Sequence, residues 1–129
     1  MRTKPNRPIS EIEIAVIRQA LEHAATAPEA KALLTTLPTL RVVDQCQCGC
    51  PSVTFHKDSP EHPHIVADGL GVPAGGGQVG VIIWGVKDAV TGLEIYDGSA
   101  SASTLSLADL KSVVSWESGA SFLKEGGGP

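Results

Sequence analysis

The sequence has few aromatic residues and no extended basic segment, which argues against nucleic-acid binding. Two Trp, one Tyr and two Phe make up 4% of the 129 residues. Proteins that hold single-stranded nucleic acids stack the bases on aromatic side chains, so such a platform is disfavoured. The formal net charge is −4, and Arg2, Lys4 and Arg7 lie among prolines at the N-terminus. Because duplex binding needs a basic face, we expect no nucleic-acid partner.

Long apolar segments are also missing. No apolar run reaches the roughly 20 residues of a transmembrane helix, and the N-terminus lacks the apolar core of a signal peptide. We therefore expect no membrane partner and a cytoplasmic location, where thiols are normally kept reduced. The chain has three cysteines, an odd number that cannot pair completely within one chain.

The length suits one domain spanning residues 1–129, with flexible ends at 1–8 and 124–129. Ser10-Glu11-Ile12-Glu13 is a capping box, and the apolar positions after it recur at helical spacing. A second capping box, Thr26-Ala27-Pro28-Glu29, precedes another apolar stripe that ends at Pro38. The pattern predicts two consecutive helices over residues 10–37.

From Leu40 the apolar period changes to two, which predicts strands. Leu40, Val42, Asp44, Cys46 and Cys48 would share one face of the first strand. Turn residues at 49–51 and alternation from Val53 to Phe55 predict a β-hairpin with the cysteines at its tip. Residues 58–77 contain three prolines and five glycines and predict a long loop, with at most a short edge strand at Ile65-Val66.

The second half of the chain predicts two further strands and a helix. Val79–Val86 is apolar and β-branched and predicts a central strand, and Leu93–Tyr96 predicts a strand with one wet face. Ser106–Val114 has weak capping spacing and predicts a short C-terminal helix. The predicted fold is α+β: two N-terminal helices packed on a small, mainly antiparallel four-stranded sheet, with a short C-terminal helix.

The cysteine cluster, Cys46-Gln47-Cys48-Gly49-Cys50, admits three interpretations. Thiolates bind zinc or copper(I), and His62 and His64 follow nearby, so Cys46, Cys48, Cys50, His62 and His64 form a candidate metal set. Against this, side chains two residues apart on a strand are about 6.5–7 Å apart, which is too far for one tetrahedral ion unless the turn at Gly49 folds them together.

The other two interpretations need no metal. A disulfide between Cys48 and Cys50, with Cys46 as an exchanging thiol, would suit redox chemistry. Alternatively, Cys46 and Cys48 fill the sheet face as small apolar residues, since cysteine is among the most buried residue types. No hydrolase triad or acid–base pair is evident, so the sequence disfavours an enzyme.

Cys46-Gln47-Cys48-Gly49-Cys50-Pro51-Ser52-Val53, the strand Val79–Val86 and Gly92-Leu93-Glu94-Ile95-Tyr96 resemble a family of small uncharacterised bacterial proteins. Those proteins have a helical N-terminal segment and a Cys-x-Cys-Gly-Cys hairpin. The resemblance covers about residues 40–97 and implies a bacterial source and a similar fold, with no catalytic residue to transfer.

The functional expectation is a small cytoplasmic binding or interaction domain without catalysis or cofactor. A homodimer through a sheet edge or the Leu-rich second helix is a further expectation. The alternative is a zinc, copper or thiol-redox protein that uses the cysteine hairpin.

Overall fold

Seven antiparallel strands form one sheet in the part of the chain that the structure, a computed structural model, describes: residues 5–47 and 49–115. The strands are β1 (Arg7–Pro8), β2 (Arg41–Gln45), β3 (Val53–Phe55), β4 (His64–Pro73), β5 (Val79–Val86), β6 (Ala89–Asp97) and β7 (Leu110–Ser115). Their order across the sheet is β1-β2-β3-β6-β5-β4-β7. The prediction of a four-stranded sheet is therefore wrong, and the fold is richer in strand than the sequence indicated.

Helix α1 (Glu11–His23) begins at the predicted capping box. Ser10 Oγ accepts a hydrogen bond from the Glu13 amide at 3.1 Å, and Glu13 Oε1 accepts from the Ser10 amide at 2.9 Å. The apolar stripe of α1, which includes the fully buried Ile17, packs on one face of β4, β5 and β7. This helix prediction is confirmed.

Arg7 connects β1 to the start of α1. Its guanidinium donates to both carboxylate oxygens of Glu13, at 2.9 and 2.8 Å. Burial raises the pKa of Glu13, but the hydrogen bonds from Arg7 and Ser10 outweigh it, so the net pKa is lowered. Arg7 and Pro8 belong to the end predicted to be flexible, yet they pair with Val42 and Arg41. Residues 1–4 and 124–129 lie outside the described residues.

The second predicted helix is shorter than expected. Helix α2 spans Ala30–Leu33 and continues as a 3₁₀ helix over Leu34–Thr39. The predicted cap at Thr26 is wrong, because the Thr26 hydroxyl and amide donate to carbonyls of β4 instead. Leu33 and Leu37 are fully buried in this chain's own core, and the homodimer expected through this helix or a sheet edge stays a prediction.

Residues 58–77 were expected to be a loop, but β4 occupies ten of them and pairs with both β5 and β7. The glycines that indicated a loop allow close packing instead. A Cβ at Gly69 would lie 2.1 Å from the Val114 carbonyl oxygen and 2.9 Å from the Cβ of Ala24, which follows α1. Glycine here lets neighbouring backbone and the end of the helix approach the strand.

The predicted C-terminal helix is also wrong. Leu107–Asp109 form one 3₁₀ turn, and β7 follows at once. Pairing with β4 and the β-branched Val113 and Val114 favour the strand over the weak helix cap. The Gln19 side-chain oxygen accepts from the Val113 amide at 3.1 Å, so α1 satisfies a backbone donor of this edge strand.

The two faces of the sheet have different surroundings. One face packs against the helices and contributes Val81, Ile83, Leu93 and Ile95 to the core. The opposite face, here called the open face, carries alternate residues of the same strands, such as Ile82 and Trp84, which are half-buried. Among the described helices, none is long and apolar enough to cross a membrane.

Candidate functional site: a cleft on the open face beside Trp84

A cleft of about 590 Å³ lies on the open face, above strands β2, β3, β5 and β6. We call it the Trp84 cleft. Its lining includes Asp44, Cys46, Thr54, Lys57, Trp84, Gly92 and Glu94. The cleft therefore reaches from the cysteine hairpin to the segment that joins β3 to β4.

A bulge in β2 brings the cysteine hairpin to this face. Val42 pairs with Phe55 and is buried in the core, but the register shifts at the next residue, so Asp44 pairs with Thr54. Because side chains alternate along a strand, one extra residue moves those after it to the other face. The prediction that Val42, Asp44 and Cys46 share a face is wrong for this reason, while the hairpin itself is confirmed.

Gly92 forms the floor of the cleft. It pairs with Thr54 of β3 on one side and Trp84 of β5 on the other. A Cβ at Gly92 would meet Cβ and Cδ1 of Trp84 at 3.6 and 3.7 Å, which are ordinary contact distances. A Cβ would therefore not clash at this position. Because glycine has no side chain, space remains beside the indole.

Glu94 holds the indole in place. Trp84 Nε1 donates to Glu94 Oε1 at 2.9 Å, and Glu94 is exposed on the same face. A hydrogen bond from an indole to a carboxylate fixes the orientation of a half-buried ring. The cleft therefore has one rigid aromatic wall with a negative charge at its edge.

Tyr96 continues the open face beyond Glu94. Its ring covers Gly80, since a Cβ at Gly80 would lie 2.0 Å from the ring carbon Cζ. Burial raises the pKa of Tyr96, and the charges of Asp68 and Glu94 raise it further. Two carboxylates thus produce a negative field on this part of the sheet.

Lys57 forms the opposite rim. Its ammonium donates to the carbonyl oxygens of Ser59 and Glu61, at 2.7 and 2.6 Å. These bonds hold the segment after β3 against the cleft, where Pro63 also lines it. Two of the three ammonium donors are consequently occupied by backbone.

The cysteine hairpin is anchored by Ser52. Its hydroxyl accepts from the Ile95 amide at 2.8 Å and donates to the Ile95 carbonyl at 3.2 Å. Cys46 is disulfide-bonded, whereas Cys50 retains its thiol, which donates to Ser52 Oγ at 3.4 Å. The redox interpretation, one of three, had Cys50 in the disulfide and Cys46 as the exchanging thiol; the structure has Cys46 in the disulfide and Cys50 as the thiol. Cys48 lies outside the described residues.

The histidines of the candidate metal set lie elsewhere. His64 begins β4, and its Nε2 is paired with Glu29 Oε1 of the helical layer at 2.5 Å. His62 is exposed. No group of three Cys, His, Asp or Glu side chains suitable for a metal occurs among residues 5–47 and 49–115. Since Cys48 belongs to the proposed set, zinc or copper binding by Cys46, Cys48, Cys50, His62 and His64 stays a prediction.

Sequence reasoning missed Trp84, Gly92 and Glu94 as site residues. The turn at Lys87 and Asp88 alone would place Thr91 opposite Trp84, but a register shift between Trp84 and Gly85 places Gly92 there instead, and the sequence pattern does not reveal this shift. The sequence also did not show which face of the sheet the helices cover.

Comparison with known proteins adds no assignment. No protein-family model matches the chain, and no curated protein or solved structure matches it. The resemblance of residues 40–97 to a family of bacterial proteins therefore stays a prediction.

Proposed function

We propose that this protein is a non-catalytic binding domain whose site is the Trp84 cleft. The observation that carries the proposal is the empty position at Gly92 beside an oriented indole. The volume of about 590 Å³ falls within the roughly 300–1,000 Å³ typical of small-molecule sites. An aromatic wall with a few fixed polar groups is the usual composition of such sites.

The polar groups around the cleft support binding rather than catalysis. Lys57 is tied to two carbonyls, and Glu94 is bonded to the indole. Both groups have structural partners that fix their positions, as groups that orient a bound ligand do. A proton-transfer or nucleophilic pair would instead need two reacting groups within hydrogen-bond reach of each other.

A filled-cleft variant tests the proposal. Gly92→Leu puts a Cβ at ordinary contact distance from Trp84, and the rest of the leucine side chain occupies the cleft. The control is Gly75→Leu, at an exposed turn position where a Cβ meets nothing within 4 Å. Trp116→Phe in every variant leaves Trp84 as the sole tryptophan, so its indole signals report on the cleft.

The experiment is an NMR screen of a small-fragment library against these proteins, read from the Trp84 indole N–H resonance. We expect several fragments to shift this resonance in the parent and in Gly75→Leu. Gly92→Leu should lower the affinity of these fragments about tenfold or more. Fragments that bind Gly92→Leu as well as the parent would contradict the proposal.

A second function, thiol–disulfide exchange, is favoured by one observation: a disulfide at Cys46 and a thiol at Cys50 lie in the same hairpin. In a cytoplasmic protein, which the sequence predicts, a disulfide is usually transient and functional. One thiolate of an external dithiol would attack the disulfide and release a protein thiol. The second thiol of the reductant would then displace the mixed disulfide, so that the reductant leaves oxidised.

Equilibration in glutathione buffers tests this second function. A redox-active hairpin is expected to have a reduction potential above about −300 mV, and a structural disulfide a lower one. Counting reactive thiols in the parent and in Cys46→Ser identifies the bond that is titrated. A potential below that limit would remove redox exchange from consideration.

A further inference from the structure

We propose that the ligand of the Trp84 cleft is a cation: an alkyl- or arylammonium or a guanidinium group that lies on the indole and pairs with Glu94. This inference rests on the proposed binding function and specifies its ligand class. It follows from three observations: the hydrogen bond between the Trp84 indole and the Glu94 carboxylate, the balance of charge around the cleft, and the bonds of the Lys57 ammonium to backbone carbonyls.

The wall of the cleft combines the two features that recognise organic cations. Indole is the aromatic ring that attracts a cation most strongly, through the negative electrostatic potential of its face. Glu94 Oε1 accepts one hydrogen bond from this indole, and a carboxylate has about four acceptor positions in total. Among residues 5–47 and 49–115, the Trp84 indole is the one side chain that donates to the exposed Glu94 carboxylate, so acceptor capacity remains for a ligand.

The charges around the cleft favour a cation over an anion. Of the described lining residues, Asp44 and Glu94 are acidic and Lys57 is basic. On the same face, burial raises the pKa of Tyr96, and the charges of Asp68 on β4 and of Glu94 on β6 raise it further. A carboxylate or phosphate ligand would be repelled by this field.

The single lysine does not reverse this preference. Two of the three Lys57 donors are bonded to the carbonyls of Ser59 and Glu61. An anion could recruit Lys57 only by sharing it with these backbone acceptors or by releasing the segment that they hold. The rim is consequently a weak anion site and a fixed boundary for a cationic ligand.

Three probes of similar shape and different charge test the inference: benzylammonium, benzyl alcohol and benzoate. Each is titrated into the full chain carrying Trp116→Phe, and binding is read from the Trp84 indole N–H resonance. We expect benzylammonium to bind about fivefold or more tightly than benzyl alcohol, and benzoate to bind weakest.

Glu94→Gln separates charge from structure, because the amide oxygen of glutamine can still accept from the indole. We expect it to remove the preference for benzylammonium over benzyl alcohol. Asp58→Asn is the matched control: it removes one negative charge at an exposed carboxylate paired with His56, outside the lining of the cleft. It should preserve the preference.

The source of the cation is tested with agmatine and the blocked tripeptide acetyl-Gly-Arg-Gly-amide, which carry the same guanidinium. Tighter binding of agmatine identifies the ligand as a free small molecule. Tighter binding of the tripeptide identifies it as a peptide. Either result supports a cation site, and binding of neither contradicts the guanidinium form of the proposal.

The outcomes separate this inference from the binding function itself. If benzyl alcohol or benzoate binds as tightly as benzylammonium, the cleft is a ligand site but the cation inference is wrong. The inference is also wrong if Glu94→Gln keeps the cation preference. If no probe and no library fragment shifts the Trp84 resonance, both proposals fail.

Discussion

Trp84 and Gly92 lie directly opposite each other on β5 and β6, and the absent side chain of Gly92 leaves open space beside the indole. The two residues belong to one short hairpin, and a register shift between Trp84 and Gly85 sets them opposite each other. Glu94, two residues after Gly92, then holds the indole nitrogen. One hairpin thus supplies the floor, the wall and the charge of the cleft.

The Arg7–Glu13 pair predicts acid sensitivity. The pKa of Glu13 is lowered in the folded protein, so its ionised form stabilises the fold above its unfolded pKa of about 4.3, and this contribution is lost as pH falls through the folded pKa. Glu13→Gln should lower the free energy of unfolding by about 2 kcal/mol at pH 7 and flatten its decline below about pH 4.

Urea unfolding from pH 2.5 to pH 7 measures this effect. The control is Glu11→Gln, in the same helical turn but exposed. It should change stability by less than about 0.5 kcal/mol. An unchanged pH profile in Glu13→Gln would show that the pair does not contribute as described.

Tyr96, the sole tyrosine of the chain, reports the field of the open face directly. Its pKa is raised by burial and by the charges of Asp68 and Glu94. Absorbance titration at alkaline pH should give a higher pKa than that of free tyrosine, about 10. Glu94→Gln should lower this pKa and Asp58→Asn should leave it unchanged. Equal values in all three proteins would argue against a negative field at the cleft.

Gly69→Ala tests whether the glycines of β4 serve close packing. The added Cβ would lie 2.1 Å from the Val114 carbonyl oxygen, so β7 must shift. We expect a loss of about 3 kcal/mol in the free energy of unfolding, at the upper end for overpacking. Gly75→Ala, in open space, should change it by less than about 0.5 kcal/mol. Denaturant unfolding distinguishes the two, and similar values for both would contradict the packing role.

Ser52→Ala tests the anchor of the cysteine hairpin. The variant loses both hydrogen bonds to the Ile95 backbone and the acceptor of the Cys50 thiol. We expect a loss of about 1–3 kcal/mol in stability and faster reaction of Cys50 with a disulfide reagent. Ser101→Ala, at an exposed hydroxyl bonded to Ser103, is the control. Unchanged reactivity of Cys50 would mean that Ser52 does not restrain it.

Local signals predicted the elements whose stabilising contacts are close in sequence. The capping box at Ser10, the cysteine hairpin and the strand at Val79–Val86 are such elements. The misassigned segments depend on distant partners. Gly69 looks like a loop residue until Ala24 and Val114 pack against it, and Val113 and Val114 form a strand because β4 is available to pair.

The candidate site was beyond sequence reasoning for a related reason. The bulge between Val42 and Asp44 moves the following residues of β2 to the opposite face of the sheet. A period-two sequence pattern does not reveal this bulge. The cleft also depends on the helices covering one face of the sheet and leaving the other open. The residues of the cleft are spread over four strands, so only the assembled sheet brings them together.

The most direct test of the account is a crystal structure of the full chain soaked with benzylammonium. We predict the phenyl ring above Gly92 against the indole of Trp84, with the ammonium about 3 Å from a carboxylate oxygen of Glu94. An empty cleft under conditions that saturate the Trp84 resonance shift, or an ammonium directed away from Glu94, would contradict the account.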